Sequence, residues 1–276
     1  MTFEPEQLGQ SRTDLAEKLR ELRKRAGLTG DRLARRCNMS QSQISKFETG
    51  KKTPKLVDVE RILRALDAPP ELITEITALA RIANTEWQDK RSSWRRGMEK
   101  RQAELASLES EATELRYFLP AMITGLLATP EYIRASLSHT PGDPSTTLAK
   151  KLERQAVLYD TAKTFTFLLT EQAVRWATVP HPALAVQIGR LTSLSHLPNI
   201  RIGVIPLGTV IPRGPMNTFT VYDDRLTTVE NFTGRMVFRD PRDVSEHLTV
   251  FASFERSALF GGAARELLEQ WADHHR

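Results

Sequence analysis

Apolar positions recur at helical spacing through the first quarter of the chain. Leu15, Leu19, Leu22 and Ala26 follow the i, i+4, i+7 rule up to Gly27, which predicts a first helix. A second opens after Thr29, with Asp31 where the helix dipole favours negative charge and Leu33, Ala34 and Cys37 turned inward. Asn38 and Met39 make a turn. Ser40 then starts a third helix, in which Ser40 and Gln43 form a capping box, Ile44 and Phe47 are core anchors, and Gly50 suits the left-handed position past the end. Thr53 before Pro54 predicts a fourth start, with Leu56, Val59, Ile62, Leu63 and Leu66 as its apolar stripe, closed by Ala68, Pro69 and Pro70.

From Glu71 to Arg116 the composition is helical throughout. Trp87, Arg91, Trp94, Met98, Arg101, Leu105, Leu108, Ala112 and Leu115 fall at alternating spacings of four and three, a heptad-like seam with RSSWRRG as its weakest point. Such a seam would pack on a second subunit or on the C-terminal half. Beyond Pro120 the pattern becomes mixed. Helices are predicted at 130–138, capped by Thr129, and at 144–159, 181–196, 241–259 and 262–274. Strands are predicted at 164–169, 200–207, 218–223, 226–232 and 235–240, the last three as an antiparallel meander. The expected fold is a mainly α helix-turn-helix bundle over 12–70, a helical linker over 71–116, and an α+β regulatory or dimerisation domain over 117–276 with a small, mostly antiparallel sheet.

Composition agrees with two domains: 276 residues, 40% of them hydrophobic, are enough for two cores. One cysteine excludes an intramolecular disulfide and a cysteine-based metal site. No apolar run reaches the roughly 18 residues of a membrane span, and the start shows no signal peptide, so the expectation is a cytoplasmic protein with no membrane partner. The net charge of +5 is unevenly spread. Residues 1–101 hold 22 Lys+Arg against 15 Asp+Glu, net +7, and the remainder is net −2. A basic half joined to a near-neutral one points to a polyanion for the first and another task for the second.

Two helices joined by a tight turn in a small basic bundle is the helix-turn-helix arrangement, whose second helix enters the DNA major groove. The third helix divides accordingly. With Ile44 inward, Ser42, Ser45, Lys46 and Thr49 turn outward and Gln41 projects from the N-terminal end. Gln pairs with adenine and Lys donates to guanine, so Gln41, Ser42 and Lys46 are the expected base readers, with Ser45 facing a base or a phosphate. Lys51, Lys52, Lys55, Arg35 and Arg36 are the expected phosphate contacts. One such domain covers a half-site, so a homodimer on an inverted repeat of double-stranded DNA is expected.

The run LTGDRLARRCNMSQSQISKFETGKKTPKLVDVERILRAL resembles the XRE, or lambdoid-repressor, helix-turn-helix family. The resemblance implies base contacts at Gln41, Ser42 and Lys46 and phosphate contacts around Lys51 and Lys52; Gly30 stands where that family usually carries a phosphate-bonding Gln.

The C-terminal half shows no HExxH, no Gly-x-Ser-x-Gly elbow and no phosphate loop, and the adjacent Ser195 and His196 make no triad. Neither an enzyme, a metal site nor a cofactor is expected. His274 and His275 fall in a stretch expected to fray. Arg154, Arg175, Trp176, Tyr222 and Glu230 are the candidate polar and aromatic groups for a ligand pocket. The segments LESEATELRYFLPAMITGLLATPEYIRASL, LERQAVLYD and LSHLPNIRIGVIPLG resemble the domain that follows the helix-turn-helix in actinobacterial antitoxin-like regulators. There Glu109, Glu111 and Ala112 match a recurring Glu-x-Glu-Ala run. Gly125, Leu126, Leu127, Thr129, Glu131 and Tyr132 match a Gly-Leu-Leu motif, with Thr124 and Ala128 in place of a Pro and a Gln. The resemblance implies a regulator accompanied by a small partner protein; a small-molecule effector is the alternative.

Overall fold

The computed structural model describes residues 5–89, 98–139 and 143–276, without the side chains of 5–10, 86–89 and 98–101. It divides into two compact units, one of residues 1–87 with 236–240, the other of 88–235 with 241–276.

The first unit is five helices: α1 (Pro5–Arg25), α2 (Gly30–Arg36), α3 (Gln41–Glu48), α4 (Leu56–Ala65) and α5 (Pro70–Asn84). The predicted inward positions Leu15, Leu19, Leu33, Ala34, Cys37, Ile44, Phe47, Val59, Ile62 and Leu63 form one core. Thr29 caps α2 by accepting from the Arg32 amide, and the Ser40 hydroxyl caps α3 by accepting from the Gln43 amide. The reciprocal half of the box does not form, so the half-buried Gln43 side chain is not held at the cap. Gly50 takes φ +68°, the left-handed conformation that lets the chain leave α3 within one residue. The fourth helix starts at Leu56, with Lys55 rather than Thr53 at its cap.

The expected linker over 71–116 is overturned. Its first part, α5, belongs to the first unit: Ile76, Ala80 and Ala83 are fully buried in the same core, Asn84 Nδ2 donates to the Pro54 carbonyl at 3.0 Å, and Arg12 Nε donates to that of Ala83 at 3.2 Å. The helix ends there. Strand β1 (Thr85–Asp89) follows, and a separate helix α6 (Met98–Glu111) belongs to the second unit. The seam therefore does not run along one helix. Arg91 and Trp94 lie outside the described residues, and Leu115 is in a strand.

The second unit is α+β. Its strands are β2 (Glu114–Leu119), β3 (Thr164–Thr170), β4 (Ile200–Ile205), β5 (Thr218–Tyr222) and β6 (Leu226–Glu230), with β7 (Gly234–Phe238) where the chain passes between units. The helices are α6, α7 (Pro130–Ser136), α8 (Ser145–Arg154) continued by a 3-10 turn over Gln155–Tyr159, α9 (Glu171–Arg175), α10 (His181–Leu194), α11 (Pro241–Glu255) and α12 (Gly261–Asp273). The expected β5–β6 antiparallel pair forms. The sheet is nevertheless mixed, because β2, read from sequence as the end of a helical stretch, lies between β3 (parallel) and β5 (antiparallel), and β3 pairs with β4 in parallel. ELRYFL and TFTFLL are buried along nearly their whole length, as strands covered on both faces must be.

On one face Tyr117 stacks on Phe167 at 4.8 Å; on the other Phe118 stacks on Phe254 of α11 at 4.3 Å. A Cβ on Gly203 of β4 would lie 2.5 Å from Cζ of Phe260 and 2.8 Å from Cδ2 of Leu168, so that position admits only glycine while Phe260 is there. His275 is 9% exposed and packed against His181, Nδ1 to Nδ1 at 2.7 Å, which corrects the expectation that it frays. No helix among the described residues is long and apolar enough to cross a membrane.

The first unit has one strong polar clamp. Arg23 near the end of α1 holds Glu48 at the end of α3 through Nε–Oε1 at 2.7 Å and Nη2–Oε2 at 2.9 Å, while Nη1 donates to the Leu28 carbonyl at 2.7 Å. Both side chains are largely buried, 14% and 9% exposed. Removing one member of such a pair strands the other charge. Glu48→Ala is expected to lower stability by about 3 kcal/mol in urea titration, whereas Glu21→Ala, whose pair with Arg25 is exposed, leaves the midpoint unchanged.

Candidate nucleic-acid interface and polar cluster

Helix α3 presents the divided surface its sequence predicts. Ile44 and Phe47 are each 1% exposed, while Gln41, Ser42, Ser45 and Lys46 are exposed. Thr49 bends its hydroxyl back to the Ser45 carbonyl at 2.7 Å, so its side chain is turned to the helix end. A Cβ on Gly30 would come 3.8 Å from Gln41 Nε2. Gln41 therefore lies beside Gly30, the one position of the first turn of α2 without a side chain. Lys51, Lys52 and Lys55 are exposed in the segment that joins α3 to α4. Arg35 and Arg36 are placed differently. They sit at the far end of α2, about 8–9 Å along the helix from Gly30, with Arg35 paired to Asp31 at 2.9 Å and Arg36 donating to the Ala65 carbonyl at 3.3 Å. The structure thus groups Gln41, Ser42, Ser45 and Lys46 and leaves Arg35 and Arg36 apart from them.

In the second unit the five candidate ligand residues separate into two places. Arg175 bonds Glu171 at 2.5 Å and lies 5.9 Å from the Trp271 ring, and Trp176 is 60% exposed at the end of α9. Arg154 and Tyr222 converge instead on Glu109 of α6, a carboxylate given no role above, while the half-buried Glu230 pairs across the strands with Thr218 and acts on Tyr222 only through its charge. Glu109 is 1% exposed, its Oε2 2.8 Å from Arg154 Nε, and its Oε1 accepts from the Tyr117 hydroxyl at 3.2 Å. Arg154 also donates to Gln102 Oε1 at 2.5 Å, and the buried Arg235 lies 3.7 Å from Glu104. Burial pushes the Glu109 carboxyl up to about 7, outweighing the pull of Arg154, the Tyr117 bond and Arg235. Burial and the Glu109 charge push the Tyr117 and Tyr222 hydroxyls up as well. The signal for this cluster was present: Gln102 and Glu109 are two polar residues seven apart, on the inward side of α6.

The Gly-Leu-Leu motif has a structural explanation. Gln155 Nε2 donates to the carbonyls of Gly125 and Ala128 at 2.7 and 2.8 Å. Gln187 accepts from the Thr129 amide at 2.7 Å and donates to the Leu127 carbonyl, which Arg190 also reaches. Thr129 caps α7, and the Tyr132 hydroxyl accepts from the Ile123 amide. These bonds satisfy a buried loop that has no ladder of its own.

A helix-turn-helix domain profile matches residues 14–76. A profile described as a domain of unknown function, DUF5753, matches residues 102–270, more than half of the chain. The chain belongs to the DUF5753 family. The matched region of this DUF5753 protein runs from Gln102 past Arg235, so the whole Glu109 cluster lies inside it. No curated protein matches the chain. Among solved structures, TrmBL2, an archaeal chromatin protein whose structure is described as showing a novel mode of DNA binding, is similar at 11% identity and a TM-score of 0.34 over 73% of this chain. This chain spans 64% of that one, less than two thirds of its length.

The Glu109 shift has a consequence for stability. Its folded value, about 7, lies above the 4.5 of a free carboxyl, so folding favours the protonated form. That contribution is complete below pH 4.5 and is lost as pH rises through 7. Glu109→Gln, which keeps the neutral shape, is expected to flatten the stability profile between these values in thermal melts compared with the wild type.

Proposed function

We propose that this protein is a sequence-specific DNA-binding transcription regulator, acting in the cytoplasm as a homodimer on an inverted repeat. What carries the reading is α3: a polar face of Gln41, Ser42, Ser45 and Lys46 with no acid, mounted on a buried Ile44–Phe47 face and fixed at its end by the Arg23–Glu48 clamp. Lys51, Lys52 and Lys55 supply the adjacent phosphate contacts, and Gln43, released from the capping box, joins the surface that meets DNA. Arg35 and Arg36 are weaker members of that set, because each already has a protein partner. The reading assigns the chain no catalysis, metal or cofactor.

The second unit, in this proposal, binds a small partner protein in an antitoxin-like system. One observation favours a second reading, in which it senses a small molecule: Arg154 and Tyr222 gather around Glu109 in the buried interior, while Arg175 and Trp176 do not join them. Thermal-shift measurement with metabolites beside co-purification from the native host separates the two.

The DNA reading is tested on an operator chosen from a random library by the full chain. Lys46→Ala and Gln41→Ala are each expected to weaken binding about tenfold in mobility-shift assays and to relax base preference at one position per half-site. Replacing Lys51 and Lys52 with Ala should instead weaken all sequences alike and flatten the salt dependence by about two phosphate contacts. Unchanged binding by the Gln41 and Lys46 variants would overturn the assignment of α3.

A further inference from the structure

One end of the second unit's sheet leaves its apolar side chains uncovered. Strands β2, β3 and β4 run parallel and finish together, with Leu119 level with Leu169 and Thr170 level with Ile205; antiparallel β5 begins at that level, and β6, paired with it, ends there. Six of the ten large apolar side chains that the described residues expose stand just beyond this end, so the exposure is concentrated rather than scattered. Met122 follows β2, Trp176 follows β3 and the short helix α9, Leu207 and Val210 follow β4, Met216 precedes β5, and Phe232 follows β6. Val210, Met216 and Phe232 are 92%, 86% and 96% exposed, which leaves them almost wholly in water.

The segments that carry these side chains are tied to one another. Glu171 at the start of α9 bonds Arg175 with one oxygen and accepts from the Leu207 amide with the other at 2.8 Å, which joins the segment after β4 to the segment after β3. Thr170 Oγ1 donates to the Pro120 carbonyl at 2.7 Å and so holds the segment of Met122. Asn231 Oδ1 accepts from the amides of Thr233 and Gly234, which sets Phe232 at the tip of a closed turn. Pro206, Pro212 and Pro215 stiffen the connection between β4 and β5. Little ordering is left for a partner to impose. Charge is almost absent as well: residues 120–125 and 231–233 have none, and residues 206–217 have only Arg213, which pairs with Glu246 at 3.4 Å.

We propose that this end of the sheet is the surface on which a second copy of the chain docks, giving a two-fold homodimer. The six residues expose an area on the order of the roughly 800 Å² that each partner gives to a standard stable interface, above the roughly 300–600 Å² of an ordinary monomer's largest apolar patch. A two-fold contact lays the patch against itself, so a net charge would repel. Here Arg175 and Arg213 are each paired with an acid of the same chain, and methionine and aromatic side chains, which interface centres favour, supply much of the area. The homodimer of the proposed function is presupposed and acquires a location: joined through their second units, two chains carry two copies of α3, one for each half of an inverted repeat.

The test is the mass of the full chain in sedimentation equilibrium at micromolar concentration. The wild type is expected at twice the 31.2 kDa of one chain. Val210→Asp combined with Phe232→Asp is expected to weaken the dimer about a hundredfold or more with circular dichroism unchanged, because docking would bury both new carboxylates. Tyr159→Asp, which charges an exposed apolar residue ahead of β3 at the opposite end of that strand, is expected to leave the dimer intact. A monomeric wild type, a dimer indifferent to the double variant, or equal dissociation by Tyr159→Asp would each overturn the proposal. So would a monomeric chain that takes up a different protein through Val210 and Phe232, since the surface then belongs to that protein. Mobility shifts keep its failure distinct from failure of the DNA reading: the double variant should hold a single half-site as the wild type does and lose joint occupation of an inverted repeat, whereas a dimer that ignores DNA supports the docking surface and removes only the role of α3.

Discussion

The first unit depends on one bidentate ion pair. Helix α3 is eight residues long and buries only two large side chains, Ile44 and Phe47, which fix its face but not its tilt. Arg23 supplies the missing restraint. Its fork takes both oxygens of Glu48, and its third nitrogen takes the Leu28 carbonyl, so the ends of α1 and α3 and the turn before α2 meet at one planar group. A lysine could satisfy the charge but not the three directions. The polar surface of α3 is thereby held by a long helix rather than by its own short hydrogen-bond ladder.

The second unit solves the opposite problem. It has ample apolar area but places charge inside it. Glu109, Arg154 and Arg235 are buried together with two tyrosines and Gln102, an arrangement that adds less to stability than an apolar core of equal volume would. Its effect is to fix which face of α6 meets the sheet, because no other register of that helix offers Gln102 and Glu109 to Arg154. Lys163 reinforces the same junction, donating to the carbonyls of Ser110 and Ala112 at 2.6 Å where α6 ends and the chain turns into β2. Asp223, with φ +52°, accepts from the amides of Thr113 and Glu114 at the start of that strand.

How far the sequence could be read follows from the range of the interactions involved. The caps at Thr29, Ser40 and Thr129, the turn at Gly50 and the two faces of α3 are set by residues within four positions of each other, and all were legible. Helix α5 was legible as a helix but not as part of the first unit, because its small inward residues Ala80 and Ala83 resemble a linker until α1 is packed against them. Strand β2 was missed for a related reason: Glu114, Leu115 and Arg116 continue a helical composition, and only pairing with residues 50 and more than 100 positions away makes them a strand. The Glu109 cluster shares that limit. Its members come from α6, α8, β2, β5 and β7, and each polar residue taken alone reads as surface.

Gly203 and Phe260 carry a different kind of information. The ring occupies the space of a missing side chain, with Arg201 stacked over it at 4.6 Å, so position 203 cannot gain a side chain while the ring is there. Any larger residue at 203 requires both the Phe260 ring and the Leu168 side chain to give way. A mutational library that randomises position 203 alone is therefore expected to return mainly glycine.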